Sequence, residues 1–223
     1  MDFAQIYNES RVRLTELARG LDPDRLATIV PACPAWTVQD TVAHVTGIAA
    51  DVLEGIPASG SDRTAEQVTS RRDKTITEVC DEWRELGPKL EELLAKVGKN
   101  LALVVMDLWT HEQDVRGAVG MKGVRDGDGL ELTLKSAIGV GPRLDAVGLP
   151  PIALTIPGAP KVFTLGTMGE PAIDLTGDRY ELARTFMARR TLSQMAQLDW
   201  SGDPAAYLPH LGAFELPTTD LVE

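Results

Sequence analysis

The segment DLWTHEQDVRG, Asp107 to Gly117, sets an acid and an imidazole four residues apart inside an otherwise apolar helical run. At that spacing Asp107 and His111 project from one face of a helix. On a helical wheel centred on Leu108, Leu101, Val104 and Val115 fall within about 40°, His111 about 60° away and Asp107 about 100° away. The pair therefore borders a buried stripe. His44, another of the three histidines in the chain, lies between Val42 and Val45 and borders a second stripe. Two imidazoles and a carboxylate from two helices are the ligand set of a catalytic zinc, with one position open for water or substrate. The competing reading is structural: a histidine on an apolar flank is commonly a core residue bonded to backbone, and D-x-x-x-H alone is a weak motif.

The neighbours leave alternatives open. Glu112 falls on the apolar side of the wheel, as a further ligand, a salt-bridge partner or a general base. Asp114 is placed to hold a ligand histidine by its second ring nitrogen. Cys33, beside proline in a loop, reads as a small buried apolar residue rather than a nucleophile. Trp36 and Trp109 read as packing residues, Trp109 with part of its surface exposed. His210 has no partner motif and reads as a surface residue.

These residues need helices to position them. Apolar spacing predicts a first helix from about Phe3 to Ala18. DPDRLATIVPACPAW, with three prolines, is a loop. Thr37 with Asp40 makes a capping-box signal for a helix carrying His44 to about Gly55. SGSDRTAEQ reads as a polar loop with a new cap, followed by one long helical pattern from about Ala65 to Val97, broken or kinked at Gly87-Pro88. The fourth helix runs from about Leu101 to Val119, with Gly120 past its end. Four such helices close a bundle.

GVRDGDG marks a boundary near residue 125, giving a helical unit over 1–125 and a second unit over 126–223. LELTLKSAIGVGPRLDAVG and DRYELARTFMARR read as helical. PIALTIPG, KVFTLG and AIDLTG are short strand signals for a small antiparallel sheet. The fold class is α+β, a four-helix bundle followed by a small α/β domain.

Composition narrows the partners. With 43% hydrophobic and 25% charged residues, the chain has an ordinary globular makeup. A net charge of −11 repels phosphate backbones, so nucleic acid is not an expected partner. No apolar run reaches the ~18 residues of a membrane span, and MDFAQIYNES lacks the features of a signal peptide. Two cysteines make no disulfide framework, and a cytoplasmic location is expected. The apolar stripes leave both a monomer and a homodimer open.

CPAWTVQDTVAHVTG, Cys33 to Gly47, resembles the C-P-x-W-T-V-x-D-x-x-x-H segment of the mycothiol-dependent maleylpyruvate isomerase-like family. DLWTHEQDVRGAVG resembles its second motif, on the fourth helix. The resemblance covers the first ~120 residues, through a DinB-like four-helix bundle, and extends less specifically to an appended α/β domain through GDRYELARTFMARRT and WSGDP. It implies metal ligands at His44, Asp107 and His111, with aspartate at 107 where the family's isomerases carry glutamate. It implies a divalent metal, zinc first, and mycothiol as the thiol cosubstrate. A thiol coordinated to metal is deprotonated, so the implied nucleophile is the metal-bound thiolate and no catalytic protein nucleophile is needed. The implied reaction is isomerisation of a small electrophile by addition, rotation and elimination, or thiol transfer to one. The family's habit of placing an arginine on the third helix makes Arg72, then Arg71, the anchors for an anionic substrate or thiol, with Arg116 a further cation one turn beyond His111. Two alternatives stay open: a non-enzymatic ligand- or protein-binding module on the same fold, and a metal-water hydrolase with Glu112 as base.

Overall fold

The structure, a computed structural model, describes residues 1–57 and 60–222. The chain forms two compact units, Met1–Gly123 and Val124–Val222. In the first, α1 (Phe3–Arg19), α3 (Val38–Glu54), α5 (Ile76–Val97) and α6 (Ala102–Ala118) make the bundle, with a one-turn α2 (Pro23–Leu26) and a short α4 (Ser61–Thr69) at its margins. Helices α1 and α3 each pack against both α5 and α6. Leu14, Val42, Trp83, Leu90, Val105 and Leu108 are buried between them. Trp83 is fully enclosed, and its indole N–H donates to the Tyr7 hydroxyl at 2.8 Å, which satisfies a polar group that burial would otherwise penalise.

The segment between α3 and α5 departs from the expected pattern. Helix α4 starts at Ser61, inside the stretch expected to be a polar loop, and ends at Thr69; Ser59, at the start of that stretch, lies outside the described residues. The long helix expected from Ala65 is interrupted over residues 70–75. Thr75 and Glu78 then form a capping box, with Glu78 N donating to Thr75 Oγ1 and Thr75 N donating to Glu78 Oε2. The T-x-x-E signal for this start is present in the sequence.

Gly87-Pro88 does not end α5, which runs on to Val97 with Pro88 inside it. Gly87 has a packing role instead. A Cβ there would lie 2.4 Å from Arg11 Nε, so the missing side chain lets Arg11 of α1 lie across α5 and donate to Glu91 at 2.9 Å.

In the second unit the expected first helix is three short pieces: α7 (Asp128–Leu134), a 3₁₀ segment (Lys135–Gly139) and α8 (Val140–Ala146). Four strands follow, β1 (Ile152–Thr155), β2 (Phe163–Leu165), β3 (Ile173–Thr176) and β4 (Asp199–Trp200), with α9 (Arg179–Phe186) and α10 (Leu192–Ala196) between β3 and β4. The sheet order is β2-β1-β3-β4. It is mixed rather than antiparallel: β1 pairs antiparallel with β2 and parallel with β3. The chain reverses twice and β3 lands beside β1 instead of β2, so the central pair must run the same way. Ile152, Leu154, Ile173 and Leu175 fill the buried face.

Among the described residues no helix is long and apolar enough to cross a membrane.

Replacing Thr75 by Ala removes the cap of α5 and is expected to lower unfolding stability by about 1 kcal/mol, read as a lower urea midpoint at unchanged slope. An unchanged midpoint would show that tertiary packing alone fixes the start of α5.

Candidate metal centre

The site begins with the turn that leads into α3. Ile29 bridges Thr37, Val30 N donates to Trp36 O at 2.9 Å, and Trp36 N donates to Cys33 O at 2.8 Å. This compact reversal holds Cys33 and Trp36 immediately before α3. Thr37 caps the helix: Asp40 N donates to its hydroxyl, and its own N–H donates to the Asp40 carboxylate at 3.0 Å. His44 then projects from the second turn, toward α6.

Helix α6 supplies the rest. His44 Nε2 lies 3.7 Å from Asp107 Oδ2, and His111 Nε2 lies 3.6 Å from Asp107 Oδ1. The three side chains bring one donor atom each to within 4.8 Å of the others. Those N···O separations exceed the 2.7–3.2 Å range of hydrogen bonds. They match instead the roughly 3.4 Å edge of a tetrahedron whose ligands stand about 2.1 Å from a zinc ion. The donor set and its spacing therefore fit a divalent metal.

Burial is uneven in a way that matters. The side chains of His44 and His111 are 6% and 5% exposed, whereas that of Asp107 is 25% exposed. The cluster is closed by the bundle on the imidazole side and accessible beside the carboxylate. The imidazoles meet edge to face with centroids 5.1 Å apart, and the Trp36 ring lies 4.7 Å from His44 and 5.9 Å from His111.

On the far side of His111, Nδ1 lies 3.1 Å from Asp114 Oδ2, and Cys33 stands beside them, one donor atom of each of the three residues lying within 4.8 Å of the others. His111 thus has Asp107 at one nitrogen and Asp114 at the other, the arrangement by which a carboxylate fixes tautomer and ring orientation in metal-binding histidines. Burial opposes a charge on His111, but Asp107, then Asp114 and Cys33, outweigh it and push the group up to about 10. The surroundings favour positive charge at this point. Nδ1 of His44 and Nδ1 of His111 are both buried, and neither meets hydrogen-bond geometry among the described residues; His111 has the Asp114 carboxylate beside that atom as an ion-pair contact.

Other expectations resolve differently. Glu112 is fully buried and is a salt-bridge partner: Arg13 of α1 donates to both its oxygens at 2.7 and 2.8 Å, and Arg116 donates at 3.1 Å. Arg116 is thereby engaged, and Glu112 belongs to no cluster that could take a metal. Arg71 and Arg72 sit in the turn after α4, not within a third bundle helix. Arg71 is buried, donating to Glu82 at 2.5 Å and to the Gln67 carbonyl at 3.0 Å; Arg72 is exposed. Trp109 is buried, at 1% exposure, rather than partly open. His210 belongs to the second unit, where its carbonyl accepts from Arg143. The association of Cys33 with His111 was not apparent in the sequence, although Cys33 stands only four residues ahead of the Thr37 cap.

Residues 7–116 match the family model described as the mycothiol maleylpyruvate isomerase N-terminal domain. The first unit of this chain is similar to that domain over nearly all of its length. The fold as a whole is similar to that of the crystal structure of the mycothiol-dependent maleylpyruvate isomerase, at a TM-score of 0.63 and 12% identity, covering 89% of this chain and 91% of that one. A histidine-to-alanine mutant of the mycothiol-dependent maleylpyruvate isomerase gives the same figures. Among curated proteins, none matches the sequence. Within the mycothiol maleylpyruvate isomerase N-terminal domain, the matched span takes in His44, Asp107, His111 and Asp114 together.

Asp114→Asn keeps the shape beside His111 but removes the carboxylate charge. It is expected to weaken zinc affinity by about 10- to 100-fold, measured by competition with a chromophoric chelator. Unchanged affinity would make the contact incidental to metal binding.

Proposed function

We propose that this protein is a metal-dependent, thiol-using enzyme, an isomerase or transferase that takes mycothiol and a small electrophilic substrate. The observation that carries the reading is the convergence of His44 Nε2, His111 Nε2 and the Asp107 carboxylate at separations suited to one shared ion. The likeness of the first unit to that family's domain supports the choice of thiol and of reaction class. A divalent metal in this position, zinc first, would lower the pKa of a coordinated thiol so that it is nucleophilic at neutral pH.

The chain's own residues account for the rest. His44 and His111 enter as neutral ligands, and Asp107 contributes the negative charge. Aspartate at 107 is one methylene shorter than glutamate, so a metal held by it would sit closer to the backbone of α6. Asp114 and the Cys33 thiol keep the His111 ring from rotating. Trp36 walls the imidazoles from water. Arg72 keeps an exposed guanidinium for an anionic group on the thiol or substrate, whereas Arg71 is held by Glu82.

Hydrolysis by metal-activated water is the less supported reading, because both Glu112 oxygens accept from Arg13 and the carboxylate has no part in the cluster.

The test uses zinc-loaded protein with maleylpyruvate for isomerisation and 1-chloro-2,4-dinitrobenzene for transfer, each with and without mycothiol. Turnover is expected on one of them, dependent on the thiol, and at least about 1,000-fold lower in His111→Ala, in line with loss of a group central to the chemistry. Glu112→Gln is expected to lose roughly 1–3 kcal/mol of stability through its weakened ion pair while keeping turnover within a few-fold. Turnover that needs no thiol and vanishes in Glu112→Gln would overturn the reading in favour of a hydrolase.

A further inference from the structure

The second unit contains a cavity of about 720 Å³, within the range of small-molecule sites. It lies between the α7–α8 layer and the sheet. Leu154 and Ile156 from β1 and its end, with Phe163 and Leu165 from β2, line one side. Because β2 is an edge strand, this side is not closed by a further strand. At the other end Gly141 of α8 packs directly on the chain after β2, where a Cβ would stand 2.7 Å from Gly166 N. The missing side chain lets helix and sheet meet there, and the space between them widens away from that contact.

The rim is apolar where a soluble surface is ordinarily polar. Ile138 and Val162, both lining residues, are 76% and 55% exposed. Grouped exposed side chains of this kind at the mouth of a concavity mark a binding surface rather than scattered surface residues.

Charge at the cavity selects the class of ligand. The two acids that line it are engaged: Glu131 pairs with Arg179, and Asp145 accepts from Thr167 N and Oγ1 at 2.9 and 2.8 Å. Lys161 is exposed and makes no ion pair among the described residues, and its ammonium stands 5.4 Å from the centre of the Phe163 ring. Of the cations that line the cavity, Arg179 is paired with Glu131, and Lys161 stands beside the aromatic lining with Lys135 also at the wall, in a chain whose net charge is −11.

We propose that this cavity is a binding site for a small amphipathic anion taken from solution: an apolar body seated on Leu154, Ile156, Phe163 and Leu165, with a carboxylate at Lys161. The site lies wholly within the second unit and is independent of the metal centre and of the function proposed for it.

Decanoate is a suitable probe because it stays monomeric at millimolar concentration. Calorimetric titration of the full chain, with a chelator present to exclude carboxylate binding at a metal, is expected to give saturable one-site binding below 1 mM. Decanol is expected to bind about tenfold more weakly, as loss of one charge-assisted contact predicts, and decyltrimethylammonium not at all. Lys161→Glu should weaken decanoate about tenfold and leave decanol unchanged, Lys161→Arg should restore decanoate, and Ile138→Asp should weaken both. Lys161 and Ile138 are exposed, so these variants test binding rather than folding. No saturable binding, equal affinity for decanoate in Lys161→Glu, or association only with phosphatidylglycerol vesicles would each overturn the proposal.

Discussion

Everything in the first unit depends on holding two buried imidazoles and one carboxylate at a common point between α3 and α6. Buried titratable groups are costly unless charge and hydrogen bonding are balanced around them. Here the carboxylate of Asp107 faces both Nε2 atoms, and Asp114 with Cys33 faces the far side of His111. The balance requires α3 and α6 to be in contact at a fixed register, since a helix shifted by one residue turns its side chains by about 100°. The capping box at Thr37 fixes where α3 begins, and the packing of Val42, Val105 and Leu108 fixes how it meets α6.

A second set of charges ties the surrounding helices to this pair. Asp51 of α3 is buried; burial opposes its charge, but hydrogen bonds from Arg63 and Gln67 of α4 hold its pKa below the usual value. Arg71 after α4 joins Glu82 of α5, and Glu112 of α6 joins Arg13 of α1. The first two pair charges on successive elements, and Arg13 with Glu112 joins helices through residues 99 apart in sequence. Removing one partner would strand the other, which gives these pairs a part in specifying which helices are neighbours.

What could be read from the sequence followed from local geometry. Asp107 and His111 share a face because four residues make about one turn; the wheel put Glu112 on the apolar side, and it is buried. The Thr37–Asp40 cap was visible for the same reason. What could not be read was pairing across the chain. Nothing near Glu112 announces that Arg13 neutralises it, and the parallel pairing of β1 with β3 depends on where a third strand docks, not on its own pattern. Apolar spacing alone runs α4 and α5 together, whereas Thr75 and Glu78 carry the signal that divides them. Gly87-Pro88 signals a break or a kink, yet α5 runs through it; the approach of Arg11 to Gly87 is a contact between α1 and α5 that the local sequence does not carry.

The most direct measurement is X-ray absorption at the zinc edge on protein loaded with one equivalent of zinc, wild type beside Asp107→Asn. The account predicts a first shell of two imidazoles plus oxygen at about 2.0–2.1 Å in the wild type, with multiple-scattering features of two histidine rings. The Asp107→Asn protein should hold zinc more weakly. A shell containing sulfur from Cys33, or one with a single imidazole, would contradict the assignment of His44, Asp107 and His111 as the ligands. Failure of the folded wild type to retain any zinc would contradict the metal centre itself.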